Sequence, residues 1–277
     1  MLPGLEIFEY QFVVRALVAG LLAAAIASAL GVYVVLRGAA MIGDGLAHIA
    51  FGGIALGLFA NVFPFGVAVA FAVLAAVGIE LLRARGLVLT DTAIAIFFTT
   101  GLAAGLVLVS LSGGFNVDLF SFLFGSLVAV GPSDLPLLAA LALAVGAFVV
   151  VFEKELFYVT LDADGARVAG LPVRALEIGF AVATALAVVV TARVAGVLLV
   201  SALLVVPAAA SLQVAASFRR AVLGSVAVAL FVVVAGLYLA FAADLPLGAS
   251  IALSSVSVFA LSLVARRVSG ARGVVAP

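Results

Sequence analysis

Cysteine is absent from this chain of 277 residues, and histidine occurs only once. Without cysteine the chain can form neither a disulfide nor a thiolate metal site, and cysteine usage does not indicate a redox compartment. Any metal site in this chain must therefore be built from nitrogen and oxygen ligands.

Charged residues are also scarce. Asp, Glu, Lys and Arg make up 9% of the chain and hydrophobic residues 68%, whereas a soluble domain carries about 25% charge. This composition excludes a soluble protein and predicts an integral membrane protein that contacts membrane lipid. The 13 basic and 13 acidic residues balance, and they form no basic footprint for nucleic acid.

Several catalytic and nucleotide-binding motifs are missing. There is no G-x-x-x-x-G-K-[ST] phosphate loop, so the chain cannot bind ATP in that way. H-E-x-x-H and G-x-S-x-G are absent as well, which argues against an intramembrane protease.

Apolar runs of about 20 residues, the length that spans a bilayer, recur along the whole chain. We predict one all-α membrane domain over residues 1–277, a polytopic helical bundle with about nine spans. The spans are Ala16–Leu36, Ala39–Phe63, a third from Pro64 to near Glu80 and Arg83, Thr92–Leu111, Leu135–Phe152, Ile178–Ala192, Val194–Ser217, Ala221–Ala243 and Leu245–Ala265. The run Leu119–Val130 is too short to cross and is interpreted as a re-entrant or interfacial half-helix.

Basic residues predict the orientation of these spans. If the spans alternate in direction, eleven basic residues fall on one side and only Arg15 and Arg193 on the other. Because positive charge is retained inside the cell, the polar segment 153–177 and the C-terminus are expected in the cytoplasm. Treating Leu119–Val130 as a full span would break this bias downstream.

The second span carries an aspartate and the single histidine in AAMIGDGLAHIAFGGIALGLFANVF. Asp44 and His48 are four residues apart, so a helix places them on one face, where both can bind one divalent cation. A carboxylate with an imidazole suits zinc or manganese, and ionisable groups within a membrane usually mark function. The alternative is that both residues only hydrogen-bond to neighbouring helices, or that Asp44 is a solvated residue at the helix start.

The cytoplasmic stretch TLDADGARVAGLPV predicts a short helix between two spans. Asp162 can cap a helix that runs through Ala169, Gly170 suits its C-terminal end, and Pro172 prevents its continuation. Such an element is either a docking helix for a cytoplasmic partner or an ordinary ordered loop.

Two further features concern packing. The pairs Gly53 with Gly57 and Gly101 with Gly105 predict close helix packing within the chain rather than a dimer-specific contact. Pro207 predicts a kink in the seventh span.

The run VYVVLRGAAMIGDGLAHIAFGGIALG resembles the signature of the permease subunits of zinc and manganese ABC importers, the zinc-uptake permease family. Further blocks resemble the same family in the same order, and together they cover nearly the entire chain. These blocks are TDTAIAIFFTTGLAAGLVLVS, DLFSFLFGSLVAV, LDADGARVAGLPV, GVLLVSALLVVPAAA and DLPLGASIAL.

The resemblance implies a non-catalytic, multi-pass permease in the cytoplasmic membrane of a prokaryote, which carries zinc or manganese and holds no cofactor of its own. It also implies three kinds of partner: a second permease copy, two cytoplasmic ATPase subunits and an extracytoplasmic metal-binding protein. The segment Asp162–Val173 matches the family's coupling helix, which the ATPase receives. Its candidate contact residues are Asp162, Ala166, Arg167, Gly170, Leu171 and Pro172.

The resemblance also implies which residues handle the metal. Asp44 and His48 match the family's Asp and His in the second span, and Asp91 matches the Asp of an acidic block in which Thr90 replaces the usual Glu. We hypothesise a transient site formed by Asp44 and His48 from each of two protomers, or by one protomer with Asp91. Zinc, manganese and iron all remain open as cargo.

Two other transporter classes are alternatives. A secondary transporter driven by an ion gradient would use Asp44, His48 and Asp91 as a relay, although no inverted repeat is apparent. An ABC permease for an iron chelate or corrinoid would share the architecture, but the Asp and His pair favours a bare ion.

Overall fold

The computed structural model describes residues 10–111, 131–132, 134–197 and 200–269. These residues form twelve α-helices and no strand. The first six are α1 (Gln11–Leu36), α2 (Ile42–Phe59), α3 (Pro64–Ala84), α4 (Thr90–Leu111), α5 (Asp134–Val151) and α6 (Glu153–Leu161). The remaining six are α7 (Ala163–Val168), α8 (Val173–Ala195), α9 (Val200–Leu204), α10 (Val206–Val214), α11 (Phe218–Ala243) and α12 (Leu247–Ser269).

Eight of these helices are long and apolar enough to cross a membrane, namely α1 to α5, α8, α11 and α12. Each coincides with one of the predicted spans, which confirms the all-α membrane bundle. The short connections follow from local sequence: Gly38 and Gly86 adopt positive φ directly after α1 and α3, and Pro64 begins α3. The predicted half-helix Leu119–Val130 lies outside the described residues.

One face of the bundle is marked by a cluster of ionic and polar contacts. Arg37 Nε donates to Thr160 Oγ1 at 3.0 Å, and Arg83 Nη2 lies 2.7 Å from both Glu80 Oε1 and Glu177 Oε1. These contacts bring together the C-terminal ends of α1 and α3, the start of α8 and the end of α6. The basic residues of this face identify it as the cytoplasmic one.

The opposite face is marked by Arg193, one of the two basic residues expected there. Arg193 Nη2 lies 2.7 Å from Asp134 Oδ2, which joins the end of α8 to the start of α5. Both side chains are about three-tenths exposed, at 31% and 27%. Because this face lies opposite the positively charged one, it is the extracytoplasmic face.

The predicted seventh span, Val194–Ser217, is not one continuous helix. The α8 helix ends at Ala195, where Gly196 has a φ of 90°, and the apolar residues that follow form α9 and α10, separated at Val205. Pro207 lies in the first turn of α10, where a missing N–H costs no helical hydrogen bond. The predicted kink is therefore a break between two short helices at Val205.

The broken segment nevertheless connects the two faces. The α8 helix ends on the extracytoplasmic face, whereas α11 begins on the cytoplasmic face, where Arg219 Nε lies 3.9 Å from Glu153 Oε1. The described chain therefore has eight helices long and apolar enough to cross a membrane, and α9 with α10 forms a further, broken connection between the two faces.

Glycines bring α2 close to both of its neighbours. A Cβ on Gly52 would lie 2.8 Å from the Gly101 carbonyl oxygen, and one on Gly101 would lie 2.6 Å from the Ile49 Cα. A Cβ on Gly53 would lie 2.8 Å from the Ala68 Cα of α3. These contacts are within one chain, which confirms the packing role predicted for the glycine pairs.

We expect Gly101→Ala to destabilise the bundle, because the added methyl group meets main-chain atoms of α2 that cannot move independently. Overpacking of this kind costs about 1–3 kcal/mol. The matched control is Gly146→Ala in α5, where a Cβ would meet nothing within 4 Å. In detergent, the Tm of thermal unfolding should be lower for Gly101→Ala than for wild type and unchanged for Gly146→Ala. Equal Tm values for the two variants would contradict this packing.

Candidate metal site

The α2 helix presents Asp44 in its first turn. The main-chain N–H groups of this turn have no partner within the helix and point toward its N-terminal end. The side chain is half-buried, and it lies near the cytoplasmic end of the second span.

His48 lies one turn further into the membrane and is only 5% exposed. Its Nδ1 atom is 2.8 Å from the main-chain carbonyl oxygen of Asp44. A carbonyl oxygen can only accept, so Nδ1 carries the proton in this contact. The lone pair of the neutral ring is then on Nε2, and a metal-binding histidine is commonly fixed in this way, with its other nitrogen donating to a carbonyl group.

The imidazole ring is packed against an aromatic side chain of α4. The centroids of the His48 and Phe98 rings are 4.2 Å apart, with an angle of 46° between the planes. The close approach of Gly52 to Gly101 brings α4 near enough for this contact. Phe98 was not among the residues predicted from sequence, since a phenylalanine in an apolar span carries no distinguishing signal.

The carboxylate of Asp44 is held from the other side by the broken seventh span. Ser201 Oγ, on α9, donates to Asp44 Oδ1 at 2.8 Å. Gly43 permits this approach, because a Cβ there would lie 2.9 Å from Leu204 Cδ2 and 3.1 Å from Ser201 Oγ. Ser201 was also missed by sequence analysis, although a hydroxyl six residues before Pro207 in an apolar run is a weak signal.

Both features of the non-metal alternative are present in this arrangement. Asp44 lies in the first turn of its helix, and it accepts a hydrogen bond from a neighbouring helix. Neither feature prevents metal binding, because a carboxylate has about four lone-pair positions and this bond occupies one of them. Asp44 and His48 therefore remain two potential ligands on one face of α2.

Asp91 is placed differently. It is exposed, in the first turn of α4. Within the ranges that the structure describes, no three His, Asp or Glu side chains are grouped closely enough to hold a metal ion. Among the described residues of one chain, the structure therefore shows no group of three ligands, and Asp44 and His48 share α2 whereas Asp91 starts α4.

A cavity of about 340 Å³ lies between the start of α2 and the cytoplasmic face. Its lining includes Ile42, Thr90 and the ionic cluster of Arg37, Arg83 and Glu177. Burial lowers the pKa of the Arg37 guanidinium, which lies 4.2 Å above the Phe180 ring. The cavity thus lies at the cytoplasmic end of α2, the helix that carries Asp44, and charged groups of both signs line it.

The predicted cytoplasmic helix is present as α7. Asp162 caps it, since its Oδ1 atom accepts from the Gly165 N–H at 2.8 Å. Gly170 has a φ of 83° after the helix end, and Pro172 is the residue that precedes α8. The predicted capping pattern is confirmed, with the helix ending at Val168 instead of Ala169.

The two faces of this segment have different roles. Ala166 is fully buried, and Leu171 packs with Val159, so both hold the segment against the bundle. The Arg167 side chain is 64% exposed, and Val168 is 91% exposed. The outward surface of α7 is therefore formed by Asp164, Arg167 and Val168, and the 90% exposed side chain of Asp164 is paired with Arg167 at 2.7 Å. Asp164 and Val168 were not among the predicted contact residues.

A larger cavity, of about 810 Å³, opens beside α7 on the cytoplasmic face. Arg85, Arg167 and Arg174 line it together with Pro172. Glu177 also lines this cavity, and Arg167 is paired with Asp164. The surroundings of α7 are thus concave and carry charges of both signs, which suits a polar protrusion of a protein partner.

Comparison with known proteins identifies relatives over most of the chain. The model of the ABC 3 transport family matches residues 9–266. The manganese import system permease protein ScaB of Streptococcus gordonii is 28% identical over 254 residues, which cover 92% of this chain and 91% of that protein. The high-affinity zinc uptake system membrane protein ZnuB of Haemophilus influenzae is 29% identical over 257 residues, which cover 93% and 98%.

A solved structure has the same fold. PsaBC from Streptococcus pneumoniae, determined in complex with Fab, superposes with a TM-score of 0.83 at 28% sequence identity. The alignment covers 93% of this chain and 92% of that chain.

From this geometry we expect substitutions of the three candidate ligands to have different effects on metal affinity. Asp44→Ala and His48→Ala should each weaken Co²⁺ binding to the purified protein at least tenfold, because even loss of an outer-shell partner costs about 10- to 100-fold. Asp91→Ala should change the affinity less than about threefold, since Asp91 is exposed and separate from the pair. Titration followed by Co²⁺ absorption measures all three, and an equal loss in Asp91→Ala would place that carboxylate in the site.

Proposed function

Because this chain belongs to the ABC 3 transport family, we propose that it is the membrane-spanning permease subunit of an ATP-driven importer for manganese or zinc. The observation that carries this proposal is the Asp44 and His48 pair on α2, within a chain whose relatives are named as manganese and zinc permeases. The eight long apolar helices and the positive cytoplasmic face place the subunit in the cytoplasmic membrane.

The metal is the cargo, and its site must release it. Two ligands from one chain form an incomplete site, whereas a closed cage of four ligands is typical of permanently bound zinc. A second copy of the permease, related by two-fold symmetry, would supply a second Asp44 and His48. Four nitrogen and oxygen ligands from two subunits can bind the ion in one arrangement of the subunits and separate in another.

Asp91 has a different role in this proposal. It is exposed at the start of α4, and the neighbouring Thr90 lines the 340 Å³ cavity. We assign it to the cytoplasmic exit, where a solvated carboxylate attracts a cation without holding it tightly.

Energy comes from a separate ATPase subunit. The sequence has no phosphate-binding loop of the Walker type, so the permease leaves ATP hydrolysis to its partner. The outward surface of α7, formed by Asp164, Arg167 and Val168, and the charged cavity beside it are the parts of this chain that the ATPase contacts. The capping by Asp162 keeps this short helix rigid enough to transmit movement to α8.

The delivery of metal from outside requires a third component. The extracytoplasmic face presents the ends of α2 and α8 and the Arg193 and Asp134 pair. An extracytoplasmic metal-binding protein would dock on this face and release its ion toward His48.

The test is radiometal uptake into liposomes that contain this chain, its ATPase subunit and its metal-binding protein. Wild type should take up Mn²⁺ or Zn²⁺ only with ATP. The variant His48→Ala should reduce this uptake at least tenfold, because it removes a ligand. Thr184→Ala is the matched control, since Thr184 is buried but donates to its own helix at the Phe180 carbonyl; it should retain uptake.

Two results would contradict this function. Uptake that follows a proton gradient in the absence of the ATPase would identify a secondary transporter. Full uptake by correctly assembled His48→Ala would remove the α2 pair from the metal path.

A further inference from the structure

Ser201 differs from the other buried or half-buried hydroxyl groups of the spans in its hydrogen-bond partner. Its Oγ atom donates to the carboxylate of Asp44, on a different helix, at 2.8 Å. The buried hydroxyls whose hydrogen bonds the structure describes donate to main-chain carbonyl groups, as membrane helices normally require. They are Ser28, Thr184, Thr191, Ser211, Ser225, Ser250 and Ser254.

The helix that carries Ser201 is closely fitted against α1 and α2. A Cβ on Gly31 of α1 would overlap the Leu204 carbonyl oxygen, and a Cβ on Gly43 of α2 would lie 3.1 Å from Ser201 Oγ. Each glycine thus allows α9 to approach more closely than a larger residue would. The α1 backbone at Gly31 and the α2 backbone at Gly43 therefore determine how closely the helix that carries Ser201 packs.

The same helix is interrupted at both of its flanks. Gly196, with a φ of 90°, ends α8 before it, and the break at Val205 separates it from α10. A five-residue helix between two interruptions can change its position without moving the long spans as a whole. Because Ser201 is on this helix, such a change would move the donor relative to Asp44.

We propose that Ser201 is a positioning residue of the metal site, whose hydroxyl holds the Asp44 carboxylate in the orientation required of a metal ligand. This inference rests on the proposed function. The bond engages one lone pair of Oδ1, which leaves the second lone pair of Oδ1 and both of Oδ2 for the metal. Hydrogen bonds to ligating carboxylates orient them, and their loss typically costs about 10- to 100-fold in metal affinity.

A consequence concerns release of the ion. When α9 is against α2, the carboxylate is fixed and the site is ready to bind. When α9 moves away, Asp44 loses its donor, and the affinity for the metal falls. Ser201 thereby makes metal affinity depend on the conformation of the broken span.

The experiment compares Ser201→Ala with Ser225→Ala in the full complex. Ser225 is buried, and its Oγ atom also bonds to a neighbouring helix, at the Ser28 carbonyl oxygen, so its loss reports a structural effect alone. Ser201→Ala should weaken Co²⁺ binding about tenfold and raise the KM for Mn²⁺ uptake, with a smaller change in the maximal rate and in Tm. Ser225→Ala should leave Co²⁺ affinity within about twofold of wild type.

A nearly isosteric variant, Ser201→Cys, keeps the test valid if Ser201→Ala fails to fold. A thiol is a much weaker hydrogen-bond donor than a hydroxyl, and sulfur does not suit Mn²⁺ as a ligand. We therefore expect folded Ser201→Cys to raise the KM for Mn²⁺ uptake as Ser201→Ala does. A wild-type KM for Mn²⁺ in folded Ser201→Cys, or wild-type Co²⁺ affinity in folded Ser201→Ala, would overturn the proposal.

The proposed function and this inference fail separately. If wild type binds Co²⁺ and loses it in His48→Ala, the α2 site stands whatever the Ser201 variants show. If His48→Ala also binds normally, the function itself has failed.

Discussion

A carboxylate and an imidazole within a membrane bundle require compensation, because burial of either without partners costs several kcal/mol. The structure supplies it from three sources: the N-terminus of α2, the hydroxyl of Ser201 and the main-chain carbonyl that accepts from His48. The packing of α2 follows from this requirement, since Gly43 lets α9 approach and Gly52 lets α4 approach. The site therefore depends on how closely three helices meet.

The cytoplasmic side joins this site to the region that an ATPase would contact. Arg83 links α3 to α8 through Glu177, and α8 begins directly after the α7 segment. Arg37 links the end of α1 to Thr160 on α6, and the loop after it leads into α2. The α7 segment is thus connected, through α6 and α8, to the helix ends that line the 340 Å³ cavity.

Most of the fold was predictable from sequence, because each long span is a run of apolar residues bounded by charge, proline or glycine. The placement of Asp44 and His48 on one helix and the cap at Asp162 were also predictable, since each is defined by residues about one turn apart. The seventh span was predicted with a kink at Pro207 alone, whereas the structure ends α8 before Gly196 and separates α9 from α10 at Val205. Hydropathy does not register this backbone geometry. Ser201 and Phe98 could not be predicted, as their roles arise only from contacts between helices distant in sequence.

The central claim is that two copies of the chain complete one metal site with Asp44 and His48 from each. X-ray absorption spectroscopy of Mn²⁺ bound to the assembled transporter, together with metal analysis, measures this directly. The account predicts one ion for every two permease chains, with two imidazole nitrogens among its ligands. One ion per chain with a single imidazole would contradict it.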